Sequence, residues 1–264
     1  MTFIKRFEKQ PDNLFFSIGW ISIFFCISVL ISLNNAYAAA SSIETSAAEP
    51  DKVSYKLITS YYSASDKNNA VDINLRAKYA EHTGWLGEYG NKQGFRQFRV
   101  GYEYSPDFVF IRPTFSLQLA SKGFIGESIN TEIGGKTFAI LGIGRTNLHD
   151  YYNLNFDPND AVTIGIGTRV FDQHQLSLIQ VFDNRLNTHQ RINHFIWHYN
   201  PTDSQHFSID ASYKSGIDSD NVMIHGYGIS ADYRYDQYFI RLAHEQHANF
   251  AVSDLTRFSL GLHF

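Results

Sequence analysis

The sequence predicts an all-β protein, an antiparallel transmembrane β-barrel of about 12–14 strands. Two observations predict it. Apolar and polar residues alternate along segments of about ten residues, and turn-forming residues separate many of these segments. Val71, Ile73 and Leu75, for example, alternate with Asp72 and Asn74. Successive side chains of a strand point to opposite faces, so each segment has one apolar and one polar face.

The composition narrows the class of protein further. The 264 residues carry a formal net charge of −4 and include 22 Phe and 16 Tyr but only 2 Met, an aromatic bias typical of β structure. No Lys/Arg-rich run occurs, so nucleic acid is not a predicted partner. The single cysteine, Cys26, lies in an N-terminal apolar run and predicts neither a disulfide nor a thiolate metal site. No motif predicts a cofactor.

Residues 1–38 are predicted to form a signal peptide. Lys5 and Arg6 give a basic start, an apolar run covers 14–33, and Ala36 and Ala38 suit cleavage after Ala38. The alternative is an uncleaved helical anchor, since about 20 apolar residues can span a bilayer. A flexible N-terminal segment, 39–52, would follow. No break in composition appears after it, so 53–264 is predicted to be one barrel domain.

Turn chemistry sets the bounds of the candidate strands, as at Ser105-Pro106-Asp107. The segments are 53–63, 71–81, 95–105, 108–120, 124–133, 136–144, 148–156, 160–171, 174–183, 189–199, 205–214, 222–233, 236–246 and 255–264. Fourteen strands would place both ends of the mature chain in the periplasm; twelve would result if 124–156 holds a broken pair. Residues 84–90 are either a further strand or part of a turn. Pro113 should mark a bulge or a strand end.

Periodicity alone does not separate a soluble barrel from a membrane barrel. Three features favour the membrane: segments close to the 9–11 residues that cross a bilayer at a tilt, aromatic residues near segment ends, and full charges on the faces opposite the apolar ones. The charges predicted to face the lumen are Asp72, Arg76, Lys78, Arg99, Glu103, Arg112, Arg169, Asp210, Lys214, Asp232, Arg241 and Glu245. These charges could line a narrow water-filled channel, or they could pair across the interior and plug it. We expect a mostly filled interior, because no long inward-folding loop is evident.

The C-terminus carries the most specific motif. Phe258, Leu260, Leu262 and Phe264 alternate with other residues, and the chain ends on Phe. This segment resembles the terminal strand of bacterial outer-membrane β-barrel proteins, where it is the signal read by the barrel-assembly machinery. The resemblance implies a Gram-negative cell envelope, an outer-membrane location after signal-peptide cleavage, and outer-membrane lipid and the assembly machinery as partners. It leaves the oligomeric state open.

No catalytic site is predicted, and His206 and Ser208 are the residues that come closest to one. Two residues apart on a strand, they would share a face, as a serine nucleophile and its histidine base require. Barrel phospholipases and lipid A deacylases use a similar His-x-Ser arrangement, often followed by Asn, but Ile209 stands at that position here. The sequence favours a non-enzymatic barrel and keeps a barrel-wall hydrolase of phospholipid or lipid A acyl esters as an alternative.

No metal site is predicted either. Asn155, Asp157, Asn159 and Asp160 could supply several oxygen ligands to a calcium ion. They have neither a following Glu nor a glycine-based loop, and turn formation explains them equally well.

The sequence thus predicts an outer-membrane barrel that serves as a porin-like small-solute channel or as a structural component of the envelope. The alternatives are the lipid hydrolase and a soluble periplasmic barrel that binds an apolar ligand.

Overall fold

The computed structural model describes residues 52–171 and 173–264. The predicted signal peptide and all but the last residue of the segment 39–52 lie outside the described residues. The strands are β1 (Ser54–Ala64), β2 (Ala70–Tyr79), β3 (His82–Asn91), β4 (Arg96–Tyr104), β5 (Ile111–Ala120), β6 (Phe124–Gly134), β7 (Thr137–Thr146), β8 (Ala161–Val170), β9 (His174–Asp183), β10 (Arg191–Thr202), β11 (Gln205–Ile217), β12 (Met223–Tyr235), β13 (Tyr238–Glu245) and β14 (Leu255–His263). In the described part of the chain, no helix has the length and apolar character needed to cross a bilayer.

The fourteen strands form a closed antiparallel barrel, which confirms the predicted fold class. Each strand pairs with its neighbours in sequence, and β1 closes the ring by pairing with β14, with Tyr61 opposite Phe258. Closure leaves every strand with a partner on both sides, so no sheet edge is left unpaired.

The two ends of the barrel differ in the length of their connections. Ser54 and His263, near the ends of the described chain, lie at one end, which we call the terminal end; the opposite end is the loop end. Turns at the terminal end contain two to six residues, whereas connections at the loop end contain three to fourteen. The longest connection, 147–160, joins β7 to β8.

The apolar faces of the strands point outward. Ile73 and Ile164 are 50% and 43% exposed, whereas Asp72 and Arg99 on the inner face are each 5% exposed. An apolar exterior around a charged interior is the arrangement that surrounding hydrocarbon requires. The soluble ligand-binding barrel does not fit, because it needs an apolar interior and a polar exterior.

Aromatic side chains line the outer surface of the terminal end. His174, Trp197, Tyr199, Phe207 and Tyr233 stack in sequence across β9 to β12, with ring centroids 4.5 to 6.0 Å apart. Such a row suits a membrane–water interface, where aromatic rings are enriched.

The strand β3 is the segment whose assignment the sequence left open. Its outward face carries Gly84, Leu86 and Glu88, and its inward face carries Trp85 and Tyr89. The aromatic residues of β3 therefore face the lumen, while its outward face combines Leu86 with Gly84 and Glu88, so periodicity did not identify the strand.

Pro113 lies near the start of β5, as the prediction of a strand end requires. The ladder between β4 and β5 reaches only to the pair Tyr104 and Phe115, so Pro113 lies beyond it on that side. Its missing N–H therefore costs that ladder no hydrogen bond.

Candidate functional site in the barrel lumen

The connection 147–160 crosses the lumen, and we call it the lumen loop. It begins between β7 and β8 and contacts β1 and β14, which lie halfway round the ring. Leu148 and Phe156 have positive φ angles of 62° and 66°, which interrupt an extended backbone. The predicted strand 148–156 is therefore wrong, and so is the expectation that no long loop folds inward.

The middle of the loop is held by Gln97 of β4, which is 1% exposed. The Gln97 Nε2 donates to the Tyr152 carbonyl oxygen at 3.0 Å, and the Tyr152 backbone N–H donates to Gln97 Oε1 at 2.9 Å. The Tyr152 ring stacks on Tyr89 of β3 at 4.8 Å. Burial raises the pKa of the Tyr152 phenol, so the ring enters this stack uncharged.

The tip of the loop is apolar and packs against the far wall. Leu154 and Phe156 are 7% and 5% exposed and join a buried cluster with Tyr62 of β1 and Leu255 of β14. Arg257 of β14 donates to the Leu154 carbonyl oxygen at 3.2 Å, and its guanidinium lies 5.7 Å from the Phe156 ring centre. The tip is thus held by apolar burial, a hydrogen bond and a cation–π contact together.

His194 of β10 ties the loop to a third part of the wall. Its Nδ1 lies 3.0 Å from Asp210 of β11, and its Nε2 lies 3.1 Å from Asp157 of the loop. A carboxylate only accepts hydrogen bonds, so both ring nitrogens donate and the ring is a cation in this arrangement. His194 therefore bridges two carboxylates that would otherwise repel each other.

The C-terminal base of the loop is fixed by Asp160. Its carboxylate accepts from the Thr146 backbone N–H at 3.1 Å and from the Thr146 hydroxyl at 2.5 Å. Arg185 in the next connection at the loop end adds an ion pair at 2.7 Å. The base therefore stays against the wall while the rest of the loop extends inward.

The lumen loop separates two cavities. The larger, about 920 Å³, extends from the terminal end to the loop and is bordered by residues as far apart as Ser54 and Pro158. The smaller, about 260 Å³, lies between the loop and the connections at the loop end. The interior is thus divided by the loop, with a small cavity at the loop end and a larger one open toward the terminal end, rather than filled throughout. We call the larger cavity the vestibule.

The structure places eleven of the twelve charges predicted for the lumen in ion pairs. The pairs are Asp72–Arg99, Arg76–Glu103 at 3.3 Å, Arg112–Glu132 at 3.2 Å, Arg169–Glu132 at 2.6 Å, Asp210–His194 at 3.0 Å, Lys214–Glu245 at 2.5 Å and Asp232–Arg241 at 2.5 Å. Lys78 is the exception and lines the vestibule. Four of these pairs join strands separated by one intervening strand, and the other three join neighbouring strands, so the pairs run along the wall.

His206 and Ser208 lie near the terminal end beside a cavity of about 380 Å³. The His206 ring nitrogens contact the side-chain oxygen of Asn200 at 2.7 Å and the carbonyl oxygen of Asp203 at 3.0 Å. Among the contacts of 52–171 and 173–264, none joins His206 to Ser208. The histidine is therefore not positioned to remove a proton from the serine hydroxyl.

The four candidate calcium ligands belong to the lumen loop, where they serve different contacts. Asp157 pairs with His194, while Asp160 pairs with Arg185. The Asn155 backbone N–H donates to a side chain within the loop, and Asn159 lines the vestibule. Within the residues that the structure describes, no group of three or more His, Cys, Asp or Glu is arranged to hold a metal ion.

The motif of the C-terminal strand lies on the outer surface. Phe258, Leu260, Leu262 and Phe264 are between 43% and 67% exposed, and Phe264 stacks on Tyr55 at 5.6 Å. Their role as an assembly signal stays a prediction.

The residues that hold the loop were not identified from the sequence. The sequence did indicate that Gln97 and Arg257 face the lumen, because both lie on the polar face of a predicted strand. Nothing local indicated that their partners would come from 147–160, since that segment was assigned to the wall.

Fold and lumen together define a class: a closed fourteen-stranded barrel of the outer-membrane type, with a charged interior that a loop partly obstructs. The chain is similar to the outer membrane protein Omp33 of Acinetobacter baumannii, with a TM-score of 0.54 and 10% identity over 82% of this chain and 100% of that one. An engineered variant of the Rh. blastica porin is similar at a TM-score of 0.47 and 8% identity, over 81% and 100% of the two chains. At such identities the likeness shows the fold alone. The chain matches no protein-family model and no curated protein.

Proposed function

We propose that this protein is a small-solute diffusion channel of the outer membrane. The observation that carries the proposal is the vestibule, a polar cavity of about 920 Å³ inside a wall whose exterior is apolar. A water-filled lumen lined by charges offers hydrophilic solutes a path that the surrounding hydrocarbon denies them. A purely structural barrel gains nothing from such an opening.

The path past the lumen loop would run beside its C-terminal half. Asp157, Pro158 and Asn159 border both the vestibule and the smaller cavity at the loop end. One layer of residues therefore separates the two cavities at this point. On this proposal the loop sets the size limit of the channel and its probability of being open.

The outer-membrane location and the orientation are part of the proposal. The short turns favour a periplasmic terminal end, and the longer connections favour an external loop end. Export by the predicted signal peptide and recognition of Phe258, Leu260, Leu262 and Phe264 by the assembly machinery would bring the chain there. Cell fractionation tests this part, because the mature chain should require detergent for extraction from the outer-membrane fraction.

Conductance measurement tests the channel itself. Protein purified in detergent and added to a planar lipid bilayer should produce discrete current steps, and the same preparation should migrate differently in electrophoresis before and after boiling. A sample boiled before addition serves as the control. A folded barrel that changes migration on boiling but produces no current steps would identify a structural component instead.

A further inference from the structure

We propose that the vestibule selects small anionic solutes bearing a carboxylate or phosphate group. The inference deepens the proposed function and rests on it in one respect, namely that solutes enter the vestibule. Eight Lys and Arg side chains line this cavity against four Asp and Glu side chains. The chain as a whole has a net charge of −4, so the positive excess is local to the lumen.

The positive charge is concentrated on one side of the terminal end. Lys56 of β1, Arg76 of β2, Arg234 of β12 and Arg241 of β13 belong to a continuous arc of five strands that also includes β14. We call these four residues the basic arc. Lys56 lies opposite Arg76 in the register of β1 and β2, and opposite His263 in the register of β1 and β14.

The members of the arc are close together. The Lys56 Nζ lies 4.1 Å from the ring centre of Phe239, and the Arg241 guanidinium carbon lies 5.4 Å from the same centre. Lys56 and Arg234 border one cavity of about 380 Å³, which is also lined by the carboxylate of Asp232.

That carboxylate is already engaged. Arg241 donates from Nε to one oxygen of Asp232 and from Nη2 to the other, each at 2.5 Å. Among the ion pairs of the described residues, none includes Lys56 or Arg234. Like charges held together inside a low-dielectric wall repel one another, and an entering anion relieves that repulsion.

The chemistry of the arc determines the class of ligand. A guanidinium presents parallel N–H groups that match two oxygens of a carboxylate or phosphate, and a lysine adds a mobile point charge. The arc presents both kinds of donor to the same cavity, because Lys56 and Arg234 both line the vestibule. Both residues also line the adjoining cavity of about 380 Å³.

The reversal potential in a potassium chloride gradient provides the first test. The protein should prefer chloride over potassium, and the double substitution Lys56→Gln with Arg234→Gln should lower the permeability ratio about twofold or more. Lys136→Gln is the matched control, since Lys136 is exposed in a turn at the same end but does not line the vestibule. Channels without anion preference would overturn the inference while leaving the proposed function intact.

Inorganic phosphate and succinate, added separately, distinguish the two ligand groups. The better ligand should reduce the chloride current at the lower concentration, and the double substitution should weaken this block. An absence of block by both anions would contradict recognition of carboxylate and phosphate in the vestibule.

A labelling experiment tests the inference without any current. A Ser116→Cys variant, in a Cys26→Ser background, places a thiol in the vestibule wall. Relative to its rate with a free thiol in solution, a sulfonate-bearing methanethiosulfonate should react about tenfold faster than its trimethylammonium counterpart, because the local potential concentrates anions. If the protein is non-conducting but keeps this preference, the channel proposal fails and the inference stands; equal relative rates would overturn the inference.

Discussion

The two halves of the lumen are built in different ways. At the loop end, a fourteen-residue connection crosses the barrel and packs Leu154 and Phe156 against the opposite wall. At the terminal end, only wall side chains face inward, and the vestibule of about 920 Å³ remains between them. The difference shows that closing fourteen strands into a ring does not fill the ring. Filling it takes a segment contributed by a connection, because side chains from the wall do not reach the axis.

Removing the crossing segment should have the largest effect. Replacement of residues 150–158 by a short Gly-Ser linker would keep Asn147 and Asp160 at the base while deleting the tip. We expect single-channel conductance to rise several-fold, because the partition between the two cavities is gone. The variant should still change migration on boiling, since the β7–β8 ladder is untouched. An unchanged conductance would show that the loop does not limit the path.

Releasing the middle of the loop should have a smaller effect. Gln97→Leu removes both hydrogen bonds to Tyr152 and leaves a buried N–H and C=O without partners, which should destabilise the docked loop by about 2 kcal/mol or more. Hydrogen exchange of the loop amides should accelerate, and the channel should fluctuate more often to a higher conductance. Gln175→Leu is the control, because Gln175 points into the lumen from β9 beside a different cavity. Equal exchange rates in both variants would show that Gln97 does not hold the loop in its docked position.

Weakening the ionic bridge should have a more modest effect. Asp157→Asn keeps the shape of the side chain but removes one of the two carboxylates that face His194, at a cost of about 1 kcal/mol to the docked loop. Open events should become more frequent without a change in their amplitude. Asn155→Ala serves for comparison, because the Asn155 contact described above uses its backbone N–H. If the two variants behave alike, the bridge contributes nothing to docking.

The smallest effect is expected in the vestibule wall. Ser116→Ala should change the free energy of unfolding by no more than about 0.5 kcal/mol, because the hydroxyl borders open space rather than packed atoms. Urea denaturation in lipid or detergent measures it. A loss as large as that of Gln97→Leu would mean that the terminal half is as tightly packed as the loop half, and the contrast between them would not hold.

The sequence predicted the barrel but counted one loop segment as a strand and left one strand unassigned. The number fourteen appeared in the prediction with 148–156 counted as a strand and 84–90 left open; in the structure β3 covers 84–90, and 148–156 belongs to the lumen loop. The reason is that strand recognition depended on an apolar face. In β3 the outward positions include Gly84 and Glu88, whereas Phe156 in the loop is apolar because it is buried inside the lumen.

The charged lumen was partly predictable, and its pairing was not. Alternation assigns Asp72 and Arg99 to the inner face, but their ion pair joins β2 to β4 across the intervening β3 and depends on the register of both ladders. The bridge at His194 depends in addition on the path of the loop. Whether a side chain faces the lumen depends only on its position along one strand. Which side chains pair depends on how the strands are aligned in the closed ring.

The hydrogen bond from Arg257 to the loop has a consequence for biogenesis. Arg257 belongs to β14, and Leu255 of the same strand and Tyr62 of β1 complete the pocket for the loop tip. The pocket for the tip is therefore complete only when β14 pairs with β1 and the ring is closed. Docking of the tip is thus coupled to closure of the ring, whereas the contacts of the loop with Gln97 and His194 do not involve the closing pair of strands.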